Sequence, residues 1–240
     1  MKFIDVHFHP DYFKDEELKL IDLSQTIAIG NSISSKNHQK IIDFSKKWKN
    51  YYVALGIYPE EAKDEEITIL KEFLVKENVI AIGEVGLDGS FNNLDNQIRI
   101  FREIIKLSKK YDLPLIVHSR KAEKIVVELL CEEKVKGVLH YFNGKFSLAA
   151  KLQESGIFLT IPSNVINNQH FQKFVRELKL DLLLPETDSP FLHPLKDWPN
   201  VPQNVKFAYE FLSKEKNIPL ELVQKIFLEN FKTLFRISPC

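Results

Sequence analysis

The sequence predicts a (β/α)₈ barrel with two further helices behind its eighth strand, and three observations carry that prediction. Short apolar, β-branched runs recur eight times along 240 residues. Amphipathic stretches stand between most of them, so strand and helix alternate and the sheet should be parallel. The spacing, roughly 20–35 residues per unit, suits successive right-handed βαβ crossovers.

Eight such units close a barrel, which commonly uses about 250 residues as one domain. Residues 1–240 therefore read as a single barrel domain. The competing layout is an open doubly wound sheet. It would usually carry a Gly-rich phosphate loop after its first strand, where this chain reads His7-Phe8-His9-Pro10-Asp11.

The candidate strands follow at 3–6, 26–29, 52–55, 79–82, 115–117, 135–139, 157–161 and 182–185. Of the helical stretches 94–111 is the clearest, with Ile98, Phe101 and Ile105 spaced to share one face. Ser34, Ser90 and Ser147 stand near helix starts, as N-caps or pre-helix turns. After the eighth strand, 201–216 and 220–235 read as helices covering the barrel wall. The second carries Leu220, Val223, Phe227 and Leu234 along a stripe. No repeat, low-complexity segment or Gly/Ser-rich linker marks a domain boundary.

Hydrophobic residues at 44% and charged residues at 28% are ordinary for a soluble globular chain and argue against disorder. The formal charge is zero, from 33 basic and 33 acidic residues, so the chain lacks the basic footprint of a duplex-coating protein. A nucleic-acid role would need local positive charge, for example from metals. Cys131, in a helix-like run, and Cys240, the last residue, form neither a disulfide framework nor a zinc-knuckle spacing. That fits a reducing cytoplasm. The N-terminus meets charge too early for a signal peptide, and no apolar run approaches the ~20 residues needed to cross a bilayer. No membrane role is expected.

In a β/α barrel, side chains at the C-terminal ends of the strands converge on one mouth. Here polar residues close five strands: Asp5-Val6-His7-Phe8-His9, Gly83-Glu84, His118, His140 and Glu186-Thr187-Asp188. Period-two geometry puts His7 and His9 on one side of an extended segment, as two imidazoles on one metal ion require. A His-x-His pair also arises in plain loops, and a single histidine such as His118 or His140 after an apolar run is often a packed residue. Glu84 closes the run Val79-Ile80-Ala81-Ile82. A carboxylate there is costly to bury unless paired or bound to a cation, the alternative being a solvated strand end. Asp188 precedes Ser189-Pro190, a turn signal, and reads equally as a ligand or an Asx-turn residue.

Four histidines and two carboxylates at successive strand ends are hard to obtain as independent accidents. Together they suit two divalent ions. Of the remaining histidines, His38 lies in a lysine-rich helix and His170 begins another, so both are expected to face solvent; His193 is expected to be a plain loop residue, with an approach to the mouth as the alternative.

Taken in order, these segments resemble the TatD-like deoxyribonucleases. The resemblance rests on Asp5-Val6-His7-Phe8-His9, Gly83-Glu84-Val85-Gly86-Leu87-Asp88, His118-Ser119-Arg120, His140-Tyr141-Phe142-Asn143-Gly144 and Glu186-Thr187-Asp188-Ser189-Pro190, spanning most of the chain. Gln97, Phe101 and Asn230 add softer support. The resemblance implies an amidohydrolase-like barrel in which His7, His9, Glu84 and Asp188 hold one divalent ion and Glu84 reaches a second beside His118 and His140. It also implies a DNA exonuclease acting 3′ to 5′ on single-stranded or frayed ends through an activated water, with Asp188 orienting or deprotonating that water. A bridging carboxylate at Glu84 agrees with the roughly 3.5–4 Å between cations that two-metal hydrolysis requires. Mixed imidazole and carboxylate ligation admits zinc, manganese or iron, and magnesium also serves with carboxylates and substrate oxygens. Arg120 is expected to bind a phosphate oxygen, whereas Lys121 and Lys124 fall on a solvated helix face.

The sequence departs from the family at two places. A Gly-x-His-Pro-His segment is usual after strand three, and this chain reads Gly56-Ile57-Tyr58-Pro59-Glu60. The aromatic pair that commonly follows Leu-Asp is replaced by Gly89-Ser90. Tyr58 is expected to face the mouth and donate a hydrogen bond to a substrate phosphate, with packing against Pro59 as the alternative. Two rival functions stand beside the nuclease: a metallohydrolase of small esters, lactones or amides, and a non-catalytic barrel that keeps its metals as structural or binding elements.

Overall fold

A computed structural model describes residues 1–237 of the protein. Its eight strands are hydrogen-bonded in chain order: β1 (Phe3–Phe8), β2 (Thr26–Asn31), β3 (Tyr51–Leu55), β4 (Ala81–Gly86), β5 (Leu115–His118), β6 (Gly137–Leu139), β7 (Phe158–Pro162) and β8 (Leu183–Glu186). Six helices occupy the later connections: α1 (Ser35–Phe44), α2 (Asp64–Lys76), α3 (Leu94–Tyr111), α4 (Glu123–Glu133), α5 (Phe146–Glu154) and α6 (Gln169–Glu177). The β1–β2 connection holds only short 3₁₀ turns, at Pro10–Tyr12 and Glu17–Leu20. Parallel strands alternating with helices make this the predicted (β/α)₈ barrel, and α7 (Lys206–Lys216) and α8 (Leu220–Phe235) follow β8.

Each apolar run became a strand, but the ends moved. β1 and β4 continue beyond their apolar stretches to take in His7 and Glu84. Hydrophobicity marks where side chains are buried, whereas a strand lasts as long as its backbone pairs. Burial on both faces explains why the runs do not alternate: β2, β4, β7 and β8 are buried at every position.

The chain forms two compact units. The first comprises Met1–Gly30, Phe44–Tyr52 and the chain from Thr160 onward. In it β8 returns to β1: Phe8 bridges Ser189 in parallel, the His9 amide donates to the Ser189 carbonyl at 2.8 Å, and the Asp188 amide donates to the His7 carbonyl at 2.9 Å. α7 packs on β8, and α8 packs on β8 and β1, as expected for helices covering the wall. Phe227 and Phe231 of α8 are fully buried. Each such side chain contributes roughly 1.5–3 kcal/mol, so α8 belongs to the core of this unit. Asn230 Nδ2 donates to the Leu180 and Leu183 carbonyls, both at 2.7 Å, and so holds the start of β8.

The second unit comprises Asn31–Asp43 and Val53–Leu159. Its β4–β5 register runs from Ile82 opposite Leu115 to Val85 opposite Val117, and shifts between them. Glu84 sits in that irregularity, a device that re-aims a side chain without ending the strand. The end of β3 lies against it. A Cβ on Gly56 would stand 2.2 Å from the Glu84 carbonyl oxygen, so only glycine fits.

Three sequence expectations are corrected here. His38 is completely buried rather than solvent-facing: Nε2 donates to the Gly56 carbonyl at 3.0 Å, the ring meets Phe73 edge-on at 5.2 Å, and burial lowers its pKa. Lysines on the outer side of α1 masked this inward position. His170 is half-buried, its ring centroid 4.4 Å from that of Phe174. Ser147 lies inside the first turn of α5, whose cap position is Lys145. His193 is the loop residue expected, its Nδ1 accepting from the Leu195 amide at 3.0 Å. Cys131 is a free thiol; Cys240 lies outside the described residues. No helix among the described residues is long and apolar enough to cross a membrane.

Candidate metal centre

The first unit gathers His7, His9 and Asp188 into one cluster. His7 and His9 stand two residues apart on β1 and just beyond it, and the β8–β1 backbone bonds bring Asp188 beside them. The His7 and His9 Nε2 atoms are 3.0 Å apart, and each is 3.5 Å from Asp188 Oδ1. Ligand atoms about 2.0–2.2 Å from one cation stand about 2.9–3.5 Å from one another, so this donor set fits a divalent ion. His7 is fully buried and His9 nearly so. Beneath them Asp5 accepts from the Thr187 hydroxyl at 2.5 Å, the Thr187 amide at 3.0 Å and the His7 amide at 3.2 Å. Burial pushes the Asp5 carboxyl well above the usual carboxylate range, against the pull of those bonds. It is a bracket between β1 and β8.

The second unit holds a matching cluster. Glu84 Oε1 is 2.8 Å from His118 Nδ1 and 3.0 Å from His140 Nε2, and those two nitrogens are 3.3 Å apart. These separations also suit one cation. Glu84 and His140 are buried and His118 nearly so. A carboxylate withdrawn this far from water needs positive charge or hydrogen bonds, which the imidazoles or a cation supply.

The far side of His118 reveals a residue that sequence reasoning had not placed in the site. Asp88 Oδ2 is 3.2 Å from His118 Nε2 and accepts from the Tyr58 hydroxyl at 3.1 Å. Its other oxygen accepts from the Ser90 amide at 2.8 Å. Gln97 grips the Asp88 backbone from both sides, accepting its N–H at 2.8 Å and donating to its carbonyl at 3.1 Å. Burial raises the Asp88 pKa, but the bonds from His118 and Ser90 outweigh it and hold the carboxyl below the usual range. His118 follows the converse balance: burial lowers its pKa, and Asp88 and Glu84 raise it further than that. A carboxylate on the outer nitrogen of a metal-facing histidine fixes its tautomer and ring orientation. The signal was present in the sequence, as a carboxylate four residues beyond Glu84 and just before Gly89-Ser90.

Tyr58 is half-buried, with its hydroxyl on Asp88 and 3.3 Å from His118 Nε2. Burial, then the charges of Glu84 and Asp88, hold its phenol far above the ordinary tyrosine range, so it remains a neutral donor. Its hydroxyl is engaged with Asp88. Arg120 is exposed, two residues past the end of β5, and its carbonyl accepts from the Gly89 amide at 2.9 Å. Lys121 and Lys124 are exposed, as expected.

The chain is similar to known proteins over nearly all of its length. Residues 4–236 match the family model described as TatD related DNase. Deoxyribonuclease TATDN3 of Homo sapiens is 31% identical over 259 residues, covering 97% of this chain and 94% of that protein. A metal-dependent hydrolase of Methanocaldococcus jannaschii is 29% identical over 245 residues, covering 98% of each. The crystal structure of YjjV, a TatD homologue from Escherichia coli K12, superposes with a TM-score of 0.88 at 27% identity and covers 98% of each chain. With the barrel and its histidine and carboxylate clusters in place, a match of this extent makes the chain a member of the TatD-related family of metal-dependent hydrolases.

Proposed function

We propose that the protein hydrolyses DNA phosphodiester bonds, working 3′ to 5′ on single-stranded or frayed ends with two divalent ions. The observation that supports it best is the pair of three-atom clusters, each with ligand atoms 2.8–3.5 Å apart. When bound, such ions lower the pKa of a water and stabilise charge developing on the phosphoryl oxygens. The chain supplies the rest. His7 and His9 fix one cation position with Asp188, and His118 and His140 fix the other with Glu84. Asp188 accepts the proton of the attacking water. Arg120, exposed and always protonated, binds a phosphate oxygen and holds the ester in line for attack. Imidazole-rich clusters favour zinc, manganese or iron over magnesium.

The test is a time course of nucleotide release from single-stranded and duplex DNA by chelated protein, before and after zinc, manganese or magnesium is restored. Mononucleotides released from the 3′ end of the single strand only after metal is returned are the expected result. Chelator-resistant release overturns the two-metal reading. Hydrolysis of a simple ester or lactone without any DNA cleavage assigns the site to a small-molecule substrate.

Tyr58 yields a separate prediction from its place on Asp88. Tyr58→Phe removes the donor that steadies the carboxylate behind His118, and such outer-shell losses cost about 10–100-fold in metal affinity or activity. Tyr58→His keeps a donor within reach of Asp88 and is expected to recover most of the loss. Metal titration by calorimetry checks both. Equal affinities for wild type and the Phe variant mean that the hydroxyl does not support His118.

A further inference from the structure

Three aromatic side chains of the first unit stay in water. Tyr12, Phe191 and Trp198 are 46%, 37% and 54% exposed. A large apolar side chain left partly in water forgoes part of its favourable burial, so a contiguous set of exposed rings calls for an explanation. The Phe191 ring lies 5.4 Å from that of Tyr12 and 6.0 Å from that of Trp198, inclined at 66° and 60°. The row begins at the metal cluster, for the His9 ring is 5.8 Å from Tyr12 and 6.5 Å from Phe191.

These rings are held in position. Trp198 Nε1 donates to Glu17 Oε1 at 2.9 Å, and the other Glu17 oxygen accepts from the Lys14 amide at 2.9 Å. The Phe191 amide donates to the Asp188 carbonyl at 2.9 Å, which ties the row to a cluster residue. Farther along that loop, the Asn200 amide donates to the Pro190 carbonyl at 2.9 Å. Aromatic surface fixed in water is pre-organised for a flat, apolar ligand. Charge in these two loops is net acidic, with Lys14, Lys19 and Lys196 against Asp11, Asp15, Glu16, Glu17, Asp22, Asp188 and Asp197, so they are poorly suited to gripping a chain of phosphates.

We infer that Tyr12, Phe191 and Trp198 form a stacking track for the unpaired bases of a single-stranded nucleic-acid end whose terminal phosphodiester lies at His7, His9 and Asp188. The inference rests on the nuclease reading above and gives its substrate a binding surface. Paired bases have no free face to offer, whereas every unpaired base does, so the track selects for single strands without selecting sequence. Because stacking releases few counterions, its share of binding changes little with salt.

The test compares a short thymidine strand with an abasic strand of equal length, using the metal-loaded enzyme. The wild-type KM is expected to be about tenfold or more lower for the strand with bases. Phe191→Ala and Trp198→Ala should each bring that ratio toward one, through KM rather than kcat, while Trp198→Phe, which keeps a ring, retains it. A ratio near one in the wild type, or unchanged in both alanine variants, overturns the track. If the alanine variants alter the oligomeric state and leave the ratio intact, the patch is a contact between copies of this chain and the track is likewise overturned. Should the wild type cleave neither strand, the nuclease reading falls on its own. The track is then decided by Trp198 emission in a Trp48→Phe background: quenching by the thymidine strand supports it and unchanged emission overturns it.

Discussion

Glu84→Gln is expected to lower turnover by about a thousandfold, the rate equivalent of roughly 4 kcal/mol, while leaving the fold intact. Glutamine matches the volume of glutamate, and Glu84 is held by its place in β4 and by its amide, which donates to the Ser32 carbonyl at 3.0 Å. What disappears is the charge. Glu84 Oε1 stands 2.8 Å from His118 Nδ1 and 3.0 Å from His140 Nε2, so the substitution removes the one anion of that cluster. Metal content should fall together with rate, and more steeply than in His118→Asn, which removes a single neutral ligand. Turnover and metal content of the purified variant decide the matter. Normal loading with wild-type turnover would remove Glu84 from the centre.

Asp188→Asn is expected to reduce the rate by about 10²–10⁴-fold while part of the metal binding survives. An amide oxygen still reaches a cation but cannot take up a proton from water. The backbone favours this test, because Asp188 has a left-handed conformation with φ of 54°, which asparagine tolerates as well as aspartate. Its amide bond to the His7 carbonyl does not involve the altered side chain. Single-turnover rates at saturating metal separate loss of chemistry from loss of the ion. An unchanged rate would show that another group accepts the proton.

The candidate ligands were legible in the sequence by residue type and position. His7, His9, Glu84, His118, His140 and Asp188 all close apolar runs, and in a barrel that position alone brings side chains to one end of the sheet. Asp88 was legible only as part of a motif. Its role depends on the turn at Ser90 and on Gln97 of α3, which face it toward His118. Tyr58 was placed near the mouth but its bond to Asp88 was not legible, since nothing local in Gly56-Ile57-Tyr58 announces a carboxylate 30 residues away. The buried His38 was misread for the same reason. A lysine-rich helix looks solvated all round until the strand end beneath it is known.

The sequence by itself determined the alternation of strand and helix, the barrel, and the kinds of candidate ligand at its strand ends, because periodicity and residue type act over a few neighbours at a time. Only the tertiary structure decided which atoms meet. Asp188 joins His7 and His9 because β8 returns to β1, and Tyr12 meets Phe191, which in turn meets Trp198, because that same closure brings the loop after β1 to the loop after β8. Contacts across such separations are settled by closure of the chain on itself, where the cost of ordering a long loop is met by burial elsewhere in the barrel.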